Sequence, residues 1–309
     1  MALNKLLNWS LFVLLSIIWG SSFIIMKHSK EELTASQIAA LRIFSAGLIF
    51  LPFAVAQLKK IPRKKMLLVI LSGVTGNLIP AFLFASAIAK NIDSSLASIL
   101  NSLTPIFVVL IAIGIFRDKI KLQKIAGVVI GFVGLTLLFL FWKGISFENL
   151  KYASLILIAT ICYGINVNMV GHFLKDVNPV QIAVISLAFM ILPTIFVLWQ
   201  QNFMQLAFDE PKVQWAVIEA TALGVVGSAI ASTMFYMLIK RAGGLFASLV
   251  TYGVPFVGIF WGIVDGENIT IKQIACLAII LFGVYLANKP DKKSAPTVSV
   301  AKELVEKSI

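Results

Sequence analysis

The chain has 309 residues, 59% hydrophobic and only 13% charged, with a net charge of +12 and a mean hydropathy of +0.96. A soluble domain is about 25% charged, so this composition excludes a water-wetted globule and points to an integral membrane protein. The positive balance sits in short loops between apolar runs, where it reports orientation, and nucleic acid is excluded as a partner. Cys162 and Cys276 each lie alone inside an apolar run, with no disulfide or metal spacing.

In chain order, ten runs are long enough to cross about 30 Å of hydrocarbon. They cover residues 9–27, 36–56, 66–89, 94–116, 122–142, 152–173, 179–199, 213–239, 244–264 and 272–288. The first is read as a span and not a signal peptide, because no small-x-small cleavage site follows and Trp19-Gly20 stands in mid-run. The run at 213–239 carries Glu219, so its outer boundary is the least sharply drawn. Residues 200–212 form a surface helix or a loop. If the amino terminus is cytoplasmic, the inner loops collect Lys59, Lys60, Arg63, Lys64 and Lys65, then Arg117, Lys119, Lys121 and Lys124, then Lys240 and Arg241. The outer loops hold fewer basic residues, so both termini are expected in the cytoplasm of a multi-pass cell-membrane protein. The segment 289–309 is polar and reads as a cytoplasmic tail.

The chain repeats itself. SQIAALRIF (Ser36–Phe44) matches VQIAVISLA (Val180–Ala188), and Trp19-Gly20 matches Tyr163-Gly164. Gly73-x-x-Gly76 matches Gly224-x-x-Gly227, and QKIAGVVIGFVG (Gln123–Gly134) matches KQIACLAIILFG (Lys272–Gly283). Residues 1–143 and 144–288 are thus two five-span units. An odd number of spans makes the second unit enter from the opposite side, so the expected fold is all-α, with ten transmembrane helices in two inverted repeats.

Within spans 4 and 9, Ala97–Pro105 (ASILNSLTP) and Ala247–Pro255 (ASLVTYGVP) correspond. An interior proline cannot donate to the carbonyl four residues back, which frees those of Asn101 and Thr251. Ser94, Ser98, Asn101 and Pro105 share one helical face, as do Ser248, Thr251 or Tyr252, and Pro255. Broken, polar-faced helices at matching places in two halves are the best sequence pointer to a transport site. Pro80 in span 3 joins Pro105 and Pro255 as an expected hinge. Further candidates for a solute site are Asn77, Tyr163, Asn168, Trp19, Ser228, Ser232 and Tyr236. For the amides, lining a cavity and bonding between helices are equally open, and for the aromatics the alternative is core packing. Gly127, Gly131 and Gly134 form a small-residue seam that suits packing within the chain or contact with a second copy.

Arg42 is the one cation inside a span and Glu219 the one clear acid. Both lie near the outer ends of spans 2 and 8, where they snorkel to the interface, pair, or gate and couple transport. Arg42 is the candidate for anion binding or for bracing the outer gate, and Glu219 for proton coupling. His28 and His172 sit at span ends, and no metal site or cofactor is expected.

Trp19-Gly20-Ser21-Ser22-Phe23, Arg42, Pro105 with Pro255, and the span-end Asp118 and Gly266-Glu267 resemble the EamA transporters of the drug/metabolite transporter superfamily. The likeness covers residues 9–288, and Asp at 118 is a mild departure from its pattern. The resemblance implies a bundle in which spans 1, 3, 4, 6, 8 and 9 surround a central pathway and the others lie outside. It also implies export of amino acids or other small metabolites. The expected function is therefore a secondary carrier working by alternating access. The other readings are a channel or scaffold, and an intramembrane lipid-modifying enzyme, for which paired acids and an interior histidine are missing.

Overall fold

Many large apolar side chains that would be a liability in water face outward along these helices. Leu48, Ile49, Leu51, Phe53 and Val55 of one helix are exposed, as are Phe256, Phe260 and Ile263 of another. Ser, Thr and Asn are turned inward instead, with Ser72, Ser98, Thr160 and Ser186 fully buried. In a computed structural model describing residues 2–90, 92–117, 122–141 and 147–288, this inside-out arrangement is built from helices, and no strand occurs among the described residues. Asp118 lies outside the described residues.

The helices are α1 (Ala2–Ser29), α2 (Ala35–Leu58), α3 (Arg63–Gly73), α4 (Ile79–Ala89), α5 (Ser94–Asn101), α6 (Thr104–Gly114), α7 (Leu122–Phe141) and α8 (Phe147–Phe173). They continue as α9 (Pro179–Phe189), α10 (Ile191–Gln200), α11 (Pro211–Ala222), α12 (Ala231–Ala242), α13 (Gly244–Ser248), α14 (Val250–Val264) and α15 (Ile271–Asn288). A π-helical segment, Val74–Leu78, joins α3 to α4, and another, Leu223–Ile230, joins α11 to α12. Eight continuous stretches among the described residues are long and apolar enough to cross a membrane, and they match the first four and the sixth to ninth apolar runs. The fifth and tenth runs appear as shorter apolar helices, Ala126–Leu138 and Ile271–Leu286. Between α10 and α11 the chain makes a short 3₁₀ turn (Phe203–Gln205) entered through Asn202 at φ +52°, so no surface helix forms there.

Helix starts are fixed by local chemistry. Thr34 accepts from the Gln37 amide at 3.2 Å while the Gln37 side chain accepts from Thr34 N–H at 2.9 Å, a reciprocal cap on α2. Asn178 caps α9 at the corresponding place, accepting from Val180 N–H at 2.9 Å. Gln37 also donates to the Gln201 carbonyl at 3.0 Å, tying the start of α2 to the end of α10.

α7 packs chiefly on α15, and the contact is backbone on backbone. A Cβ on Gly283 would lie 2.4 Å from Gly131 N and 2.7 Å from Gly127 O, and one on Gly134 would lie 2.8 Å from Ile280. The small-residue seam is therefore occupied within the chain and is not open to a second copy. The two proline-bearing spans meet as well: α5 lies against α14, where Gly258 admits the Ser98 side chain. Gly283→Leu must push α7 from α15 and is expected to destabilise by about 1–3 kcal/mol or more. Gly171→Leu, where a Cβ meets nothing within 4 Å, leaves stability unchanged. Thermal unfolding of both variants in detergent checks the contrast.

Candidate functional site

Two of the spans change helical register where they pass the centre of the bundle. In the first, Ile79 N–H bonds Val74 O, five residues back, which deprives Thr75 O of its ordinary donor. Pro80 then lacks the N–H that Gly76 O would take. In the second, Ala231 N–H bonds Val226 O and Ser228 O, bypassing Gly227 O. Gly227 O is served from outside its own helix, by Trp19 Nε1 at 3.0 Å and Arg42 Nη2 at 3.5 Å. Single π turns of this kind are often functional. These two fall at the Gly73-x-x-Gly76 and Gly224-x-x-Gly227 pairs.

Between them lies a cavity of about 60 Å³, room for a few waters. α1 contributes Trp19, Ser22, Phe23 and Met26, which are i, i+3, i+4 and i+7 on one face. The first π segment and α4 contribute Gly76, Asn77, Ala81 and Phe84, and the second π segment and α12 contribute Gly227, Ser228, Ser232, Phe235 and Tyr236. Asn101 and Thr104 flank the α5–α6 break, Tyr163 and Asn166 come from α8, and Thr251 from α14. Arg42 reaches in from α2. α7, α9, α10 and α15 contribute nothing. Phe23, Phe84 and Tyr163 form an aromatic wall with centroids 5.4 and 6.2 Å apart, and Trp19 meets Phe235 edge-on at 5.1 Å.

Of the residues singled out from sequence, Asn101, Thr251, Asn77, Tyr163, Trp19, Ser228, Ser232, Tyr236 and Arg42 are brought together here. Ser98, Tyr252 and Asn168 are not among its lining. Ser98 donates to Ser95 O at 2.6 Å and packs on Gly258. Asn168 Nδ2 donates to Val108 O and to Gly164 O, both at 2.9 Å, so it bonds α8 to α6. Asn166, two residues earlier, is the amide at the cavity, and it donates to Ser72 O at 2.9 Å. The helix-face pattern could have found Met26 and Phe23, but Phe84 and Phe235 carry no distinguishing signal.

The prolines sit beside the breaks rather than on them. α5 ends at Asn101 and α6 begins at Thr104, with Pro105 in its first turn. Asn101 O, expected to be free, accepts from Thr104 Oγ1 at 2.8 Å. In the partner span the interruption falls at Leu249, six residues before Pro255, and the Thr251 hydroxyl donates to Ser248 O at 2.8 Å.

Arg42 has no carboxylate within ion-pair reach among the described residues. Its Nε donates to Ser228 Oγ at 2.9 Å, and Nη1 lies 4.0 Å from Met26 Sδ. Glu219 is engaged elsewhere: its Oε2 accepts from Ser29 Oγ at 3.0 Å. Asn77 accepts from Ser232 Oγ at 2.8 Å, and its Nδ2 is the one buried side-chain polar atom without a partner among the described residues.

One end of the bundle is closed by charge. Lys27 Nζ lies 2.6 Å from Asp265 Oδ2 and 2.8 Å from Glu267 Oε1. Glu267, its side chain only 4% exposed, also accepts from Ser94 N and Oγ and from Ser95 N at 2.8–3.1 Å. It thereby caps α5 from 173 residues away, while Asp93 at the cap position makes no such bond. Burial pushes the Glu267 carboxyl up, but the bonds from Lys27, Ser95 and Ser94 outweigh it and hold the group below the usual Glu value. At the other end Lys240 Nζ donates to the carbonyls of Leu174, Lys175 and Val177, and Lys65 pairs with the exposed Asp176.

"Uncharacterized transporter" of Archaeoglobus fulgidus is 24% identical over 280 residues, 90% of this chain and 98% of its own length. The "Uncharacterized inner membrane transporter YedA" of Escherichia coli K12 is 24% identical, covering 88% of this chain and 87% of that protein. The chloroplastic "WAT1-related protein At3g02690" of Arabidopsis thaliana is 22% identical over 92% of this chain and 70% of its own. One solved crystal structure superposes with a TM-score of 0.62 at 16% identity over 95% of this chain and 98% of its own, and shares the fold. A sequence model of the EamA-like transporter family matches twice, on residues 7–140 and 150–289, and the chain belongs to that family.

Proposed function

We propose that this membrane transporter is a secondary carrier, an exporter of a small amphipathic metabolite, built as two inverted five-span halves around the central cavity. The single observation carrying the reading is that cavity. Helices from both sequence halves converge on it, four of the contributing spans (α3–α4, α5–α6, α11–α12 and α13–α14) are interrupted in their course, and its lining mixes amides and hydroxyls with an aromatic wall. A channel would present a continuous polar path, whereas here Tyr236 and Ser228 are 1% exposed and Met26 2%. Solute polar groups would meet Asn77, Asn101, Asn166 and Arg42, and its apolar part would lie against Phe23, Phe84 and Tyr163. Both termini are cytoplasmic in this reading, so the Lys27–Glu267 end is outer and the Lys65–Lys240 end inner. Alternating access is a change between closure at the one end and closure at the other, with the helix interruptions as the flexible places. Glu219, held by Ser29 outside the cavity, is the acid left for proton coupling.

Transport would be read as counter-flow in liposomes loaded with a candidate metabolite. Asn101→Ala is expected to lower the flux about tenfold with little loss of folded protein, since one hydrogen bond to a bound polar group contributes about 1–1.5 kcal/mol. Normal counter-flow in that variant would remove Asn101 from the site.

The outer closure can be followed by a thiol placed at Ala81 in a chain whose two cysteines are replaced by serine. Opening strips Glu267 of Lys27, Ser95 and Ser94, so its pKa rises toward the ordinary value. Closure is therefore fully supported above the ordinary Glu pKa and is lost as pH falls through the depressed one. Labelling of Ala81→Cys from outside should stay flat across the neutral range, and Glu267→Gln should raise it several-fold at every pH. A rise between neutral and mildly acidic pH in the parent would show that another group controls this end.

A further inference from the structure

The cavity holds one permanent positive charge and nothing of its own to balance it. Its lining contains Arg42 and no Asp or Glu. The partners of the guanidinium are all neutral: Ser228 Oγ, Gly227 O at the limit of hydrogen bonding, and Met26 Sδ. Glu219, the acid at similar depth, is turned to Ser29. A guanidinium carries five N–H donors in a rigid fork suited to a carboxylate. With Nε spent on Ser228 and weak contacts at the other nitrogens, most of that capacity is unspent.

A second donor lies on the same cavity. Ser232 Oγ donates to Asn77 Oδ1, which leaves Nδ2 buried and without a partner, although the residue is only 7% exposed. A buried donor left unsatisfied is rare enough to ask what it serves. Among the backbone carbonyls at or beside the cavity, Asn101 O takes Thr104, Gly227 O takes Trp19, and Ser72 O takes Asn166. The formal charge on the lining is thus positive, with no carboxylate against it. A cationic solute meets repulsion there. A zwitterion satisfies Arg42 with its carboxylate but brings an ammonium that finds no carboxylate.

We infer that the transported solute is a monoanion, a carboxylate with an apolar body, whose carboxylate is held by Arg42 and Asn77 and whose body lies along Phe23, Phe84 and Tyr163. This rests on the carrier reading above and narrows its substrate class from amphipathic metabolites in general, amino acids included, to organic monocarboxylates. A charge-assisted fork on the guanidinium supplies most of the binding, and the Asn77 donor fixes the second oxygen.

The test uses four probes with one ring and different charge: phenylacetate, phenylacetamide, phenethylamine and L-phenylalanine. Each is offered to the purified full chain, and binding is read as a rise in melting temperature and as protection of Ala81→Cys from a thiol reagent. Phenylacetate is expected to protect, L-phenylalanine to do so at least about tenfold more weakly, and the amide and the amine not at all. Arg42→Gln should weaken phenylacetate by at least about 30-fold, Arg42→Lys should keep part of the effect, and Asn77→Ala should weaken it about tenfold. If Arg42→Gln fails to fold, Arg42→Lys with the parent's probe ranking still decides, because it keeps charge and loses the fork. Protection by the amide or the amine equal to that by phenylacetate overturns the anion assignment, as does protection by no carboxylate. Counter-flow of a neutral or cationic solute would then leave the carrier standing without it, whereas absence of counter-flow for every solute would remove the carrier reading itself.

Discussion

In hydrocarbon no water is available to a broken helix, so every backbone group released by an interruption needs a partner inside the protein. That constraint organises this bundle. Where α5 gives way to α6, Asn101 O loses the donor that Pro105 lacks and receives the Thr104 hydroxyl instead. Where the second π segment skips Gly227 O, Trp19 and Arg42 supply the donors. Each repair brings a polar side chain to the same central place, because that is where the helices are broken. The cavity is the residue of these repairs: the groups left over after the backbone has been satisfied are those that face the space.

Charge is managed by the same rule with different magnitudes. An arginine inside a span costs up to about 2.5–3.5 kcal/mol on insertion scales, the value at the helix centre, which implies a wet or polar surrounding. Arg42 finds it in Ser228, the Gly227 carbonyl and the cavity. Gly224 makes this reach possible, since a Cβ there would lie 2.2 Å from Arg42 O and 1.9 Å from Ser45 Oγ. The glycine therefore sets the distance at which α2 stands from the register-shifted span, and so how far the guanidinium extends.

Much of this was legible in the sequence, and the failures have local causes. Apolar runs gave the helices because span length and hydropathy are one-dimensional properties. The polar face of Ala97–Pro105 led to Asn101, and the matching Trp19-Gly20 and Tyr163-Gly164 pairs to Trp19 and Tyr163. Proline positions located the interruption near Pro105 but missed the one at Leu249, since a turn in which Leu249 N–H bonds Phe246 O and the Thr251 hydroxyl takes Ser248 O falls upstream of Pro255. The π segments were invisible for a similar reason. Nothing in Leu223–Ile230 forbids an α-helix, and the shifted register is chosen by what α1 and α2 offer to Gly227. Asn166 and Asn168 show the limit most plainly. They stand about 200° apart on one helix, one at the cavity and one clasping α6, and no single-sequence pattern says which face turns inward.

The two ends of the bundle are closed by interactions of unequal strength. At one, a nearly buried carboxylate gathers an ammonium, a hydroxyl and two backbone N–H groups, and joins α1, α5 and the turn between α14 and α15. Charge-assisted bonds in a low-dielectric setting are the strong kind, and breaking this set leaves Glu267 and the first turn of α5 without partners at once. At the other end the acid is Asp176, 61% exposed, and its pair with Lys65 is screened by solvent. Lys240 on the last carbonyls around α8 uses the helix dipole but can exchange those carbonyls for water. The contacts at the Glu267 end are therefore stronger than those at the Lys65 end. In the carrier proposed above, opening the Glu267 end would forfeit all of these contacts at once, so the differential interaction that opens it would have to come from a bound solute.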